Sequence, residues 1–149
     1  MRTKSETLSS AERHAGARRV LVVDDSKPLR DAVQRLLADL PEWEICGEAC
    51  NGREAIDKAL DLHPDVILMD VGMPELDGLE ATRRIRQHID VEVLIFTQYD
   101  SRQAWQEAVN AGARGYLPKS RATYLVEALE TVAQRKNYAG PAAANSTSA

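Results

Sequence analysis

Residues Leu68–Gly78 read LMDVGMPELDG. The apolar run Val66–Met69 stops on the carboxylate of Asp70, and Gly72, Pro74 and Gly78, all residues that bend a chain, follow directly. A continuous apolar run without polar alternation suits a strand of a parallel sheet covered on both faces. A charge closing such a strand, with a turn behind it, sits where parallel α/β sheets gather their chemistry, outside the carboxyl ends of the strands.

Further strands lie on either side. VLVV (Val20–Val23) is of the same fully buried type, VEVLIF (Val91–Phe96) reads as another strand, EICGEA (Glu44–Ala49) as a weaker, mixed one, and GYL (Gly115–Leu117) as a short fifth. Segments of helical spacing separate them. Leu29, Val33, Leu36, Leu37 and Leu40 form one stripe, with Pro28 near the first turn and Pro41 beyond the end. Asn51 and Glu54 read as N-cap and N3 of a helix carrying Ala55, Ile56, Ala59 and Leu60. Leu79, Thr82, Ile85 and Arg86 follow Gly78; Ala104, Trp105, Ala108 and Val109 precede a stop at Gly112; Tyr124, Leu125, Ala128, Leu129 and Val132 make the last stripe. Five βα units with right-handed crossovers imply a doubly wound, mostly parallel sheet.

The chemistry-bearing residues then fall on one edge. The first strand ends in Asp24-Asp25, the third in Asp70, the fourth in Thr97 and the fifth in Pro118-Lys119. Taken singly, Asp24 and Asp25 could cap the following helix and Asp70 could merely start a turn. Taken together, three carboxylates repel one another and call for a counter-charge. A hard divalent cation such as Mg²⁺ takes oxygen ligands of this kind and keeps some of its water. Lys119 adds positive charge but cannot replace an octahedral ion.

Asp24-Asp25, MDVGMPELDG around Asp70, Thr97 and GYLPKS around Lys119, in this order, resemble the receiver domain of bacterial two-component response regulators. The resemblance covers about residues 18–136. FTQYD and GARGYLPKS are most similar to the subfamily with helix-turn-helix output domains. The resemblance implies a flavodoxin-like (CheY-like) α/β fold, strand order 2-1-3-4-5, flanked by five helices. It also implies a phosphoryl group accepted on Asp70 from a sensor histidine kinase or phosphotransfer protein. Asp25 would bind Mg²⁺ (or Mn²⁺) directly, Asp24 largely through water, and the carbonyl of Gly72 would complete the protein's ligands beside Asp70. Lys119 would pair with the phosphoryl oxygens and Thr97 would donate to one of them. Tyr116 takes the place of the family's switch aromatic; the blander reading is an aromatic packed permanently under the last helix. Gly72 and Tyr99 occupy sites that influence phosphate lifetime, although Gly72 could simply ease the turn. The surface expected to change comprises the fourth helix, fifth strand and fifth helix, and serves a downstream protein partner or a homodimer.

Other features point away from rival functions. Histidines His14, His63 and His88 do not cluster, so surface or capping roles are expected. Cys46 and Cys50 share one face of the second strand by its period of two and are expected to be buried, not zinc ligands. Trp105 is expected to pack, with a partner anchor as the alternative. RRIRQH (Arg83–His88) reads as a solvated helix face, with a partner surface second. In a chain of 149 residues, a net charge of −4 argues against broad nucleic-acid binding. No apolar run approaches the ~20 residues of a membrane span. Two cysteines fit a reducing cytoplasm.

Residues 1–18 read as a flexible extension in which Ser9 and Glu12 could cap a short helix, 19–136 as the receiver, and 137–149 as a disordered tail or linker. The tail is too short and bland for a helix-turn-helix, so a stand-alone, non-enzymatic regulator is expected. The alternatives are the receiver fragment of a DNA-binding regulator, a phosphorylation-independent interaction module and, more weakly, a Mg²⁺-dependent phosphohydrolase.

Overall fold

The computed structural model describes residues 16–73 and 76–139. The Ser9/Glu12 cap, His14, Pro74 and the tail from Gly140 lie outside the described residues. Strands β1 (Arg18–Val23), β2 (Trp43–Ala49), β3 (Val66–Met69), β4 (Glu92–Thr97) and β5 (Gly115–Pro118) alternate with helices α1 (Lys27–Ala38), α2 (Gly52–Leu62), α3 (Gly78–Arg86), α4 (Arg102–Ala111) and α5 (Leu125–Ala133). The strands are all parallel and lie in the expected order, β2-β1-β3-β4-β5.

Side chains alternate across a strand, so unbroken apolar runs require two cores. On one face Val20, Val22, Val66, Leu68 and Phe96 meet Val33 and Leu37 of α1 and Leu125, Leu129 and Val132 of α5. On the other, Leu21, Val23, Ile67, Met69 and Ile95 meet small residues of α2, α3 and α4: Ala55, Ala59, Ala81 and Ala108. Helix starts are set by side-chain caps. Ser26, Asn51, Asp77 and Ser101 each accept the amide three residues on. Two helices end in the left-handed region, α2 at His63 (φ 48°) and α4 at Gly112 (φ 102°). His63 thus takes its expected capping role, and His88 Nδ1 lies 2.8 Å from the Arg84 carbonyl.

Several expectations need correction. Leu36, Leu60, Val109 and Tyr124 are exposed. Each helix lies on a sheet rather than in a bundle, so the buried stripe is narrower than the apolar spacing suggests. The last helix begins at Leu125, after a 3₁₀ turn over Lys119–Tyr124. The cysteines do not share a buried face. Val20 pairs with Ile45 but Leu21 with Gly47, which leaves Cys46 as a bulge. Cys46 is half-buried, and burial raises its thiol pKa. Cys50 lies beyond the strand and is exposed, with Glu54 pushing its thiol pKa up.

The ordered unit also exceeds 19–136. Arg18 opens β1 opposite Trp43, and Tyr138 returns to the β5 edge. There Tyr138 is buried in the first core, accepts the Tyr116 N–H at its carbonyl (2.8 Å), donates its own N–H to Arg114 O (3.2 Å) and reaches Glu127 with its hydroxyl (3.3 Å).

At the amino end of β4, away from the acid-bearing edge, Glu92 is buried. Arg114 (2.9 Å), Arg86 (3.7 Å) and Arg135 (3.9 Å) surround its carboxylate, and Arg135 also pairs with Asp90 at 2.6 Å. The guanidiniums make this buried charge tolerable.

Candidate functional site

Asp24 and Asp25 leave β1, and Asp70 leaves β3. These adjacent strands hold the carboxyl ends level, with Val23 opposite Met69. The Asp24 N–H donates to Ala49 O and the Asp70 N–H to Val23 O, both at 3.0 Å, so the backbones of both acids are tied to the sheet. Carboxylate oxygens of Asp24, Asp25 and Asp70 lie within 4.8 Å of one another, a spacing suited to one metal ion. Asp24 and Asp70 are buried, whereas Asp25 is exposed.

Neither aspartate of the pair caps α1; Ser26 does, accepting Leu29 N–H. Asp24 Oδ1 instead accepts the Ser26 N–H at 2.8 Å, and its Oδ2 lies 2.8 Å from Lys119 Nζ. The ammonium is 3.6 Å from Asp70 Oδ1, which also accepts the Val71 N–H at 2.9 Å. Asp70 has a raised pKa. Burial is the main cause and the Asp24 charge adds to it, while Lys119 opposes both. One ammonium does not balance three carboxylates. Hard oxygen donors with a residual negative charge are what Mg²⁺ takes.

Thr97 ends β4 opposite Pro118 and is completely buried. Its Oγ1 accepts the Tyr99 N–H at 3.4 Å, a bond to the β4–α4 loop rather than to the carboxylates. Tyr116 is buried, and its hydroxyl donates to the Tyr99 carbonyl. Gly72 is exposed in the β3–α3 loop, where an added Cβ would lie 3.7 Å from Tyr99 Oη. Beside Thr97 a cleft of ≈ 260 Å³ opens between Val71 and Leu79 on one side and Tyr99 and Ala104 on the other.

The structure therefore brings Asp24, Asp25, Asp70 and Lys119 together, and places Thr97, Tyr99 and Tyr116 in an adjoining hydrogen-bonded chain. Sequence reasoning missed Arg30, which donates from Nη1 to Asp24 O (2.6 Å) and from Nε to Glu48 Oε1 (2.8 Å). A lone arginine on a helix gives no signal for this. Ser26, in contrast, stands directly before Lys27-Pro28 and could have been read as the cap.

Known proteins share this fold. Residues 20–130 match the family model described as the response regulator receiver domain. The chain is 44% identical over 115 residues to a protein-glutamate methylesterase/protein-glutamine glutaminase of Methanosarcina mazei, covering 75% of this chain and 32% of that protein. It is 40% identical over 125 residues to the response regulator GacA of Pseudomonas viridiflava, covering 83% and 58%. Among solved structures, a LuxR-family two-component response regulator from Aurantimonas sp. SI85-9A1 superimposes with a TM-score of 0.82 at 33% identity, covering 87% of this chain and 94% of that one. The chain spans only about a third to three-fifths of the length of these curated relatives. With the five-stranded order, the acid cluster and the matched span in agreement, this chain belongs to the family of two-component response regulator receiver domains.

Proposed function

We propose that the chain is a Mg²⁺-dependent phospho-acceptor switch with Asp70 as the acceptor. The convergence of three carboxylates within 4.8 Å beside the Lys119 ammonium carries this reading. A carboxylate oxygen of Asp70 attacks phosphorus, an acyl-phosphate P–O bond forms, and the bond to the donor's imidazole nitrogen breaks. Asp25 and Asp70, with Asp24 largely through water and the carbonyl of Gly72, would hold the cation, and Mn²⁺ suits the same donors. When bound, the cation would neutralise charge on the phosphoryl oxygens. Lys119 exchanges its Asp24 partner for the phosphoryl group. Thr97 releases the Tyr99 N–H and donates to a phosphoryl oxygen. Gly72 and Tyr99 border the same space and set how readily water reaches the phosphate.

The acyl phosphate brings up to about two negative charges, and a local charge of that size can bias a two-state element. Here that element is the Thr97–Tyr99–Tyr116 chain, with Tyr116 as the switch aromatic in its inward position. The chain's chemistry is limited to its own phosphotransfer and dephosphorylation, carried by a receiver that takes in Arg18 and Tyr138 at its two ends. The donor is a sensor histidine kinase or phosphotransfer protein in the cytoplasm. Output passes to a downstream protein or a second copy through α4, β5 and α5. No helix among the described residues is long and apolar enough to cross a membrane. Stand-alone action gains no support from relatives that are longer than this chain.

Acetyl phosphate with Mg²⁺ should label wild type and retard it on a phosphate-affinity gel, whereas Asp70→Asn should run unshifted. Identical unlabelled mobility for both proteins would sink the reading.

A further inference from the structure

We propose that Arg30 is a positioning residue for the acid pair, and that it sets the affinity of the site for its divalent cation. The inference rests on the metal-binding part of the function proposed above. Arg30 touches no carboxylate of the cluster. It acts on the peptide that carries two of them.

Its guanidinium makes two contacts at once. Nη1 donates to the backbone carbonyl of Asp24 at 2.6 Å, and Nε donates to Glu48 Oε1 at 2.8 Å. The Asp24 carbonyl belongs to the peptide joining Asp24 to Asp25, so this bond fixes the plane from which the Asp25 side chain departs. Asp25 is exposed, and among the described residues no N–H or O–H donates to its carboxylate, unlike those of Asp24 and Asp70. Asp24, in contrast, is held by Ser26 N–H and Lys119. The more open of the two acids therefore depends on its backbone for orientation.

Glu48 gives the guanidinium a fixed base. It lies on β2 directly opposite Val22 of β1, and Lys58 of α2 donates to its backbone carbonyl. Arg30 is only 15% exposed, so the fork is held between helix and sheet. Because Glu48 offsets its charge, Arg30 contributes geometry rather than field at the cluster. Only a planar fork reaches both acceptors; a lysine has one point of charge and cannot. Groups that orient metal ligands from behind commonly change metal affinity by about 10- to 100-fold when removed.

Calorimetric titration of the full chain with Mg²⁺, paired with initial labelling rates by acetyl phosphate across Mg²⁺ concentrations, tests this. Arg30→Lys and Arg30→Gln are expected to weaken Mg²⁺ binding about tenfold. Half-saturating Mg²⁺ for labelling should rise by the same factor, with the rate at saturating Mg²⁺ within about twofold of wild type. Arg35→Gln, which removes an exposed charge from the same helix, should leave both unchanged. Wild-type Mg²⁺ affinity in Arg30→Lys and Arg30→Gln, with only a lower melting temperature, would overturn the proposal and leave a helix fastener. Wild type that binds Mg²⁺ but is never labelled would remove the phospho-acceptor reading while leaving the affinity comparison intact. Wild type that does not bind Mg²⁺ would remove both.

Discussion

The hydroxyl of Tyr116 donates to the backbone carbonyl of Tyr99, and the N–H of that same Tyr99 points to Thr97 Oγ1. Both proposed switch residues therefore hold one loop residue, from opposite sides. Tyr116→Phe should free the loop while leaving the packed ring in place. We expect a loss of about 1 kcal/mol and faster amide exchange at Tyr99. Burial holds the Tyr116 phenol above its ordinary pKa, with the Asp100 charge adding to this. Its stabilising contribution is complete below the ordinary phenol value and is lost as pH rises through the raised one. Wild type should thus lose stability more steeply than Tyr116→Phe in alkaline melts. Parallel curves would contradict this.

Asp70 gives the acid-side counterpart. Its folded pKa lies above the ordinary carboxyl value, so the folded chain holds this proton more tightly than the unfolded one. The contribution is complete below the ordinary value and disappears as pH rises through the folded one. Without metal, Asp70→Asn should melt higher than wild type near neutral pH. The gap should close in acid, and Mg²⁺ should narrow it at neutral pH by stabilising wild type alone. An equal gap at every pH would show that the charge at Asp70 is not the cause.

Two glycines, one in the β3–α3 loop and one at the first position of α3, should respond in opposite ways. An added Cβ at Gly78 would fall 1.9 Å from the Asp70 carbonyl oxygen, which is backbone and cannot step aside. Gly78→Ala should cost about 3 kcal/mol, the upper end for overpacking, and impair labelling of Asp70. At Gly72 the nearest atom is Tyr99 Oη at 3.7 Å, an ordinary contact. Gly72→Ala should change stability by less than about 0.5 kcal/mol. Chemical denaturation of both variants decides the comparison.

A chain cut after Lys136 should be less stable than one cut after Ala139. The longer chain keeps the buried Tyr138 ring and its backbone bonds to Tyr116 and Arg114. Losing a buried aromatic and two such bonds should cost about 3 kcal/mol. Equal melting temperatures would mean that Tyr138 adds no stability at the sheet edge.

Much of this molecule was legible in its sequence because its signals were local. Continuous apolar runs marked β1 and β3, a largely apolar run marked β4, and weaker or shorter segments marked β2 and β5; reading along them placed Asp24, Asp25, Asp70, Thr97 and Lys119 on one edge. What escaped depended on pairing between distant segments. The bulge at Cys46 arises from the fit of β2 to β1, and a strict period of two therefore put Cys50 on the wrong side. Tyr138 is one aromatic in a stretch of small and polar residues, and its burial follows only from where α5 ends. Arg30 looks like any solvent-facing helical arginine until Glu48 is seen beside it. The stripes that included Leu36, Leu60 and Val109 overreached because spacing reveals a face but not how wide a sheet will cover it.

The arginines around Glu92 give the domain an electrical direction. Among the described residues, three carboxylates face one ammonium at the carboxyl ends of the strands, whereas at the amino end of β4 three guanidiniums face Glu92 and Asp90. A strand of six residues separates the two groups by roughly 20 Å, about two and a half screening lengths in physiological salt. Approaching molecules therefore sense the ends separately. Cations are drawn to the acid end and anions to the arginine end, and both attractions weaken as salt is raised.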